Sequence, residues 1–197
     1  MSKKGFFDRH AHKWDELCYQ NEPAELKDLI KGFQIRKGDW ILDVGTGTGI
    51  LLPYLRRLTG KEGKLFALDF SSEMLSVAKS KLTQSGIEFI NSDVGNMPFE
   101  NEIFDRVICF ASFPHFGNKP KSLQEMSRVL KKGGMLFIAH LLSSLEIKEH
   151  HSGAGEEVKD DVLPENSSMI KMMSKAKLKR IKIVDQPSLY LAQGEKW

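Results

Sequence analysis

Short apolar runs alternate with segments of helical periodicity between residues 40 and 140. Five runs have the length and apolar character of buried strands: WILDV (40–44), KLFALDF (64–70), IEFI (87–90), FDRVICF (104–110) and MLFIAH (135–140). Three segments between them repeat apolar residues at helical spacing: Ile50, Leu51, Leu55 and Leu58; Met74, Leu75 and Ala78; Leu123, Met126, Val129 and Leu130. This alternation predicts an α/β fold, with a mostly parallel sheet covered by helices on both faces.

Polar and glycine residues mark the ends of these helices. Ser71 or Ser72 can cap the second helix at its N-terminus. The third helix is expected to stop at residues 131–134 (KKGG), where two cations and two glycines suit a helix C-terminus. Ligands of parallel sheets bind beyond the carboxyl ends of the strands, so the residues that directly follow each strand are the candidates for function.

The flanking regions are less regular. Residues 1–35, with Phe6, Phe7, Trp14 and Leu17, are expected to form an amphipathic helical cap on one domain, residues 36–197. Within that domain residues 141–170 are expected to be a lid or insertion, irregular up to residue 166. Three elements are predicted after it: a basic helix over 167–180 and a closing strand pair, IKIVD (181–185) and SLYLAQ (188–193), joined through Pro187.

Composition narrows the class of protein. The 197 residues are 41% hydrophobic and 28% charged, a globular balance, and the net charge of +3 does not require nucleic acid or a membrane as partner. No apolar run is long enough to span a membrane, and no signal peptide is recognisable. Two cysteines make no disulfide framework. We therefore expect a cytoplasmic protein with a small-molecule substrate. The sequence leaves open whether the protein forms a homodimer.

The sequence DVGTGTG (43–49) follows the first predicted strand and predicts a nucleotide-binding turn. Its glycines do not fit the dinucleotide fingerprint G-x-G-x-x-G, because position 50 is isoleucine. Asp43 would also repel a pyrophosphate but attract a cation. S-adenosylmethionine (SAM) meets that demand, since it carries a sulfonium and an amino group but no phosphate.

Two further acids support a nucleoside ligand. Asp69 ends the second strand, where a carboxylate can accept hydrogen bonds from ribose hydroxyls. Asp93 follows the third strand and can accept from an adenine amino group, with Phe70 or Met97 against the ring. A glycine turn alone is weak evidence, but three strand-end acids in this order strengthen it.

The motifs DVGTGTG, ALDFSSEML, INSDVGNMPFENEIFDRVICFASFPHF and SLQEMSRVLKKGGMLFIAH resemble those of class I SAM-dependent methyltransferases. They are most similar to the subgroup that includes the ubiquinone and menaquinone biosynthesis methyltransferases, as is the opening FFDRHAHKWDE. The resemblance implies a Rossmann-like seven-stranded sheet with an antiparallel last strand, SAM as cofactor and S-adenosylhomocysteine as product. The expected cofactor contacts are Asp43, Gly45, Thr46, Gly47, Gly49, Asp69, Phe70, Met74, Asp93, Val94, Met97 and Ala111.

Histidines near strand ends are the candidate catalytic residues. His115 follows the fourth strand and His140 ends the fifth, so either imidazole could act as a general base. His150 and His151 lie in the predicted lid. The H-x₉-H-H spacing of His140, His150 and His151 matches no standard zinc site, so acid–base or substrate-orienting roles are favoured over metal binding.

Methyl transfer to a small molecule is thus the favoured function. A non-catalytic SAM-binding regulatory module is an alternative that the sequence leaves open. A nicotinamide-dependent oxidoreductase is a weaker alternative, because the third glycine and Asp43 both disagree with it. The acceptor atom and the substrate stay open.

Overall fold

The computed structural model describes residues 2–18, 24–82 and 86–197. The helices are α1 (Lys3–His10), α2 (Trp14–Cys18), α3 (Ala24–Gly32), α4 (Leu52–Thr59), α5 (Ser72–Lys81), α6 (Lys119–Val129), α7 (Ser144–Ser152) and α8 (Asn166–Lys175). The strands are β1 (Trp40–Val44), β2 (Lys64–Asp69), β3 (Ile87–Asn91), β4 (Phe104–Phe110), β5 (Leu130–His140), β6 (Leu178–Gln186) and β7 (Leu189–Lys196). Short 3₁₀ helices are found at Ala11–Lys13, Val94–Asn96 and Phe113–His115.

The strands form one seven-stranded sheet in the order β3-β2-β1-β4-β5-β7-β6. β7 is antiparallel to both of its neighbours, and the other described pairs are parallel. The expected Rossmann-like sheet with an antiparallel last strand is therefore confirmed. The strand order reverses between β1 and β4, which opens a crevice at their carboxyl ends, the usual ligand position in such sheets.

Two hydrophobic clusters cover the two faces of the sheet. Because side chains alternate along a strand, Ile41 of β1 packs on one face with α3 and α4, whereas Leu42 and Val44 pack on the other with α6 and α8. Both faces of the central strands are buried, which explains why those strands read as continuous apolar runs. The crevice at the strand ends is thereby held by a rigid frame.

The boundary between α6 and β5 differs from the sequence prediction. The helix ends at Val129, and Leu130 already belongs to β5, where it pairs with Phe104. The register then shifts between Phe104 and Arg106, so the KKGG stretch is a bulged start of the strand rather than a helix stop. Pairing with Phe104 decides the placement of Leu130 in the strand.

The region after β5 is more regular than predicted. Residues 144–152 form α7, which begins with a capping box in which the Ser143 side chain accepts from the backbone of Glu146 and the Glu146 carboxylate accepts from the Ser143 backbone. The predicted basic helix over 167–180 was too long, because it ends at Lys175 and Leu178 starts β6.

The N-terminal region contains helices, as the pattern predicts for residues 1–35, although Met1 and residues 19–23 of that range lie outside the described residues. Phe6 and Phe7 are buried against Met74 and Val158. Leu17, by contrast, is 59% exposed. The short helix α2 is anchored instead through Asp15, which accepts hydrogen bonds from Thr48 and Lys81.

Candidate functional site

A cavity of about 1120 Å³ lies over the carboxyl ends of the parallel strands. Its floor consists of the turns that follow β1, β2, β3, β4 and β5. Its roof consists of α1, α7 and the segment 153–161, which contribute Phe6, Phe7, Ile147, His151 and Val158. The cavity is larger than the ~300–1000 Å³ typical of a site for one small molecule.

The glycine turn after β1 presents open backbone to this cavity. Gly45 has a φ of +69° and Gly47 a φ of +53°, conformations that favour glycine. A side chain at Gly45 would collide with Ser112, at 2.4 Å from its Oγ, whereas a Cβ at Gly47 would meet nothing within 4 Å. Gly47 thus leaves a concave surface on which a ligand can approach the main chain.

Two buried carboxylates flank the turn. The Asp43 Oδ2 accepts from the Thr46 hydroxyl at 2.6 Å. Asp69 accepts from the backbone N–H of Gly47 at 2.8 Å and of Ser71 at 2.9 Å. Burial raises the pKa of Asp43 to about 7, with the nearby Asp69 charge adding to the effect, and burial raises the pKa of Asp69 to about 6. The pair forms an electronegative wall that a cation would stabilise.

Most of the other expected cofactor contacts also line the cavity. These are Thr46, Phe70, Met74, Asp93, Val94 and Ala111. Asp93 is exposed and caps a 3₁₀ helix by accepting from Gly95 N at 2.6 Å. Ala111 has a φ of +52°, a strained conformation for a residue with a side chain, at the point where β4 meets the cavity.

Two expected contacts lie elsewhere. Met97 is buried in the hydrophobic cluster beneath the sheet and does not line the cavity. Gly49 faces the helices, since a Cβ there would lie 3.0 Å from Leu52 and 3.2 Å from Ala78. The third glycine therefore serves close packing of the turn against α4 and α5. We do not retain either residue as a cofactor contact.

His115 lies at the cavity wall in a network that joins three parts of the chain. Its Nδ1 is 2.8 Å from Oδ2 of Asp161, in the 153–161 segment. The Lys3 ammonium, from α1, contacts the same carboxylate and the backbone oxygen of His115. The Phe7 ring packs edge-on against the imidazole, with 5.0 Å between the ring centroids.

His140 has a different environment. It lines the cavity at the end of β5, is 6% exposed, and its Nε2 has no hydrogen-bond partner within the described residues. Burial lowers the pKa of His140 to about 3, with His115 and His151 adding repulsion. His140 is therefore a neutral imidazole at physiological pH, which suits it to hydrogen bonding and makes it a weak base.

The burial of neutral His140 should appear in the pH dependence of stability. The unfolded chain takes up a proton on this residue below about pH 6.5, whereas the folded chain does so only near its lowered pKa. The stability contributed by neutral His140 is thus lost as the pH falls. The free energy of unfolding of the wild type, relative to His140→Gln, should decline by up to about 1.4 kcal/mol per pH unit below about pH 6.5. Chemical denaturation at several pH values measures this difference. A constant difference would show that His140 protonates normally in the folded protein.

Short contacts attach the roof to α5 and hold the parts of the roof together. The Ser71 hydroxyl donates to Asp8 at 2.6 Å, which joins α1 to the cap of α5. Arg9 pairs with Glu157 at 3.0 Å, which joins α1 to the 153–161 segment. His151 donates from Nδ1 to the backbone oxygen of Asp161 at 2.5 Å, and His150 also lines the cavity. The roof is thus a single assembly of α1, α7 and the segment after α7.

Lys3, Ser112 and Asp161 were not among the predicted site residues. Ser112 Oγ donates to the Val44 oxygen at 3.0 Å and so fixes the crevice between β1 and β4. Asp161 lies in a polar stretch (EEVKDD, 156–161) whose pattern does not distinguish one acid from the next. Only its approach to His115, 46 residues earlier, gives it a role. Within the described residues, no group of three or more His, Cys, Asp or Glu side chains is placed to hold a metal ion.

The sheet with its antiparallel β7, the glycine turn after β1 and the acid at the end of β2 together define the class I SAM-dependent methyltransferase fold. Comparison with known proteins agrees. Residues 42–138 match the methyltransferase domain family. The chain is 36% identical over 143 residues to a ubiquinone/menaquinone biosynthesis C-methyltransferase of Coxiella burnetii, a match covering 68% of this chain and 57% of that protein.

Solved structures share the fold over nearly the whole chain. One is from the complex between the Haloferax volcanii Trm112 methyltransferase activator and a putative methyltransferase, with a TM-score of 0.78, 22% identity and 96% of each chain covered. Another is a SAM-dependent methyltransferase from Aquifex aeolicus, with a TM-score of 0.74, 23% identity and coverage of 95% of this chain and 97% of that one.

The chain belongs to the class I SAM-dependent methyltransferases, with SAM as the cofactor of the class. The matches span about half the length of the curated relatives, 46% to 57%. Among the described residues, no helix is long and apolar enough to cross a membrane.

Proposed function

We propose that this chain transfers the methyl group of SAM to a nucleophilic atom of a small molecule. The observation that carries the proposal is the shared cavity. The cavity is lined both by the Gly47 turn, with Asp43 and Asp69, and by the imidazoles of His115 and His140. A cavity of about 1120 Å³ has room for a cofactor and an acceptor side by side.

The residues at the glycine turn fit SAM. The backbone at Gly47 has open space above it, and Asp43 offers a buried negative charge to the cationic methionine portion. Asp69 uses one lone pair on each oxygen for the main chain, which leaves acceptor capacity for a ribose diol. Asp93 and Phe70 line the cavity where an adenine ring would be held.

The protein's own task is alignment and proton removal. SAM, when bound, would supply an activated methyl group for transfer to the acceptor, with the electron pair of the carbon–sulfur bond left on sulfur. Phe6, Phe7 and Val158 exclude water from the roof side. A proton on the acceptor can pass to His115, while neutral His140 can hydrogen-bond the acceptor.

Two experiments test the function. Thermal stabilisation by SAM and S-adenosylhomocysteine, but not by NAD, is expected for a site of this kind. Transfer of label from methyl-labelled SAM into metabolites of a cell extract then tests catalysis. Because the curated relatives are named ubiquinone/menaquinone biosynthesis C-methyltransferases, quinols are a sensible first panel of pure acceptors. SAM binding without transfer to any acceptor would point to a regulatory module.

Cofactor affinity should fall on acidification. With a pKa near 7, Asp43 loses its charge as the pH drops through neutrality, and Asp69 follows near pH 6. A cationic ligand favours the ionised carboxylate, so affinity should decline by up to about tenfold per pH unit for each carboxylate below its own pKa. Calorimetric titration with SAM from about pH 7.5 to about pH 5.5 measures the decline. Asp43→Asn should bind more weakly with a shallower pH dependence, and a flat wild-type profile would contradict the assignment.

A further inference from the structure

The contact between His115 and Asp161 has a consequence for the proton on the imidazole. Burial alone would raise the pKa of Asp161, but the hydrogen bonds from His115 and Lys3 and the charge of Lys3 hold it below its usual value. The carboxylate is therefore ionised and can only accept. The proton in the 2.8 Å contact must accordingly belong to Nδ1 of His115.

We propose that Asp161 is a positioning residue that fixes the tautomer of His115 and so makes its Nε2 the basic atom directed to the acceptor. The proposal rests on the proposed methyl transfer and adds to it the residue that prepares the base. Asp161 lies outside the segment that matches the methyltransferase domain family, residues 42–138. The base and its positioning group thus come from separate parts of the chain.

The surroundings of Asp161 favour this role over a simple surface ion pair. The side chains of His115 and Asp161 are 12% and 9% exposed, so water competes little for their hydrogen bond. The Asp161 backbone is fixed by the 2.5 Å hydrogen bond from His151 of α7. Lys3 holds the other carboxylate oxygen, so that the oxygen facing His115 has one orientation.

Several charged or titratable groups face the pair from neighbouring elements. Lys3 comes from α1, Lys119 from α6, His140 from β5 and His151 from α7. Of these, Lys119 is held by the backbone oxygens of Pro114 and Phe116. Within the described residues, Asp161 is the carboxylate in contact with the His115 ring. Removing Asp161 should therefore change the tautomer of the His115 imidazole, because no neighbouring carboxylate among the described residues takes its place.

Nitrogen NMR of the whole protein, labelled with ¹⁵N at histidine, tests the proposal without an acceptor. Under alkaline conditions, where imidazoles are neutral, wild-type His115 should carry its proton on Nδ1. In Asp161→Ala the proton should move toward Nε2, the tautomer that solvated imidazoles favour. His115→Gln assigns the signal among the six histidines. A wild-type His115 with its proton on Nε2, or a tautomer unchanged in Asp161→Ala, would overturn the proposal.

Glu157→Ala is the matched control. Glu157 lies in the same segment and pairs with Arg9 of α1, but it does not contact an imidazole of the cavity. It should leave the His115 signal unchanged, which separates positioning from general loosening of the roof. A His115 tautomer that shifts equally in Glu157→Ala would show that docking of the segment, rather than Asp161, controls the imidazole.

Kinetics complete the test once a transferable acceptor is found. Asp161→Ala should lower kcat by about tenfold or more with little change in SAM affinity, because only proton transfer is impaired. Unchanged kcat would contradict the positioning role. Failure of the wild type to bind SAM or transfer methyl would instead contradict the proposed function, and the NMR result would stand independently.

Discussion

Gly47→Val is expected to abolish detectable SAM binding, because several contacts would be lost at once. This corresponds to an affinity reduced by about 100-fold or more. A Cβ at Gly47 meets no protein atom within 4 Å, so a valine side chain would project into the cavity where the ligand approaches the backbone. The φ of +53° adds strain that a branched residue tolerates poorly. Calorimetric titration with SAM measures the loss, and circular dichroism checks that the fold persists.

Substitutions at two other glycines separate the effect of backbone strain from the effect of blocking the cavity. Gly38 has a φ of +85° with open space around it, but it precedes β1 and does not line the cavity. Gly38→Val should therefore cost stability yet leave SAM affinity unchanged. Gly45→Val should damage the fold itself, because its Cβ would overlap Ser112. Normal SAM binding by Gly47→Val would mean that the cofactor does not lie on this turn.

Asp69→Ala is expected to weaken SAM binding by about 1.5–3 kcal/mol, or roughly 10- to 150-fold, the cost of losing a charged acceptor. The structure adds a second effect. The N–H groups of Gly47 and Ser71 lose their partner, which should lower the free energy of unfolding by about 1–3 kcal/mol. Titration calorimetry and chemical denaturation measure the two effects separately.

Asp105→Ala is the control for Asp69→Ala. Asp105 also accepts from a strand backbone, Trp40 N at 2.9 Å, and pairs with Lys131, but it lies away from the cavity. Its loss should lower stability without changing SAM affinity. If Asp69→Ala binds SAM as tightly as Asp105→Ala does, Asp69 has no part in the cofactor site.

The core of the fold could be predicted because local and global signals agree there. Residues 40–44 form a strand as predicted, since burial on both faces makes the run continuously apolar. Ser71 caps α5 as expected. The helix α7 was missed although Ser143 and Glu146 carry the capping-box spacing, because the short helix has little apolar periodicity and buries only Ile147. The boundary at Leu130 depended on pairing with Phe104, which is distant in sequence.

The site residues likewise divide into those that the sequence could locate and those that it could not. Strand-end residues such as Asp43 and Asp69 could be located because the end of a parallel strand fixes where the next residue lies. Met97 could not, since the 3₁₀ turn after β3 directs it into the core. Nothing in the sequence distinguished His115 from His140, whose different environments depend on burial and on Asp161, a residue brought near by the tertiary fold.

The floor and the roof of the cavity come from different segments of the chain, so they can vary separately among related proteins. The floor residues Asp43, Gly47 and Asp69 lie within the segment shared with the family, residues 42–138. The roof is built from α1 and residues 144–161, which lie outside it. Substitutions at Phe6 or Val158 would therefore alter the proposed acceptor side of the cavity, and they would also reach Met74, which packs in the same cluster. Under the proposed function, libraries that vary the roof test whether the acceptor range depends on segments outside the family match.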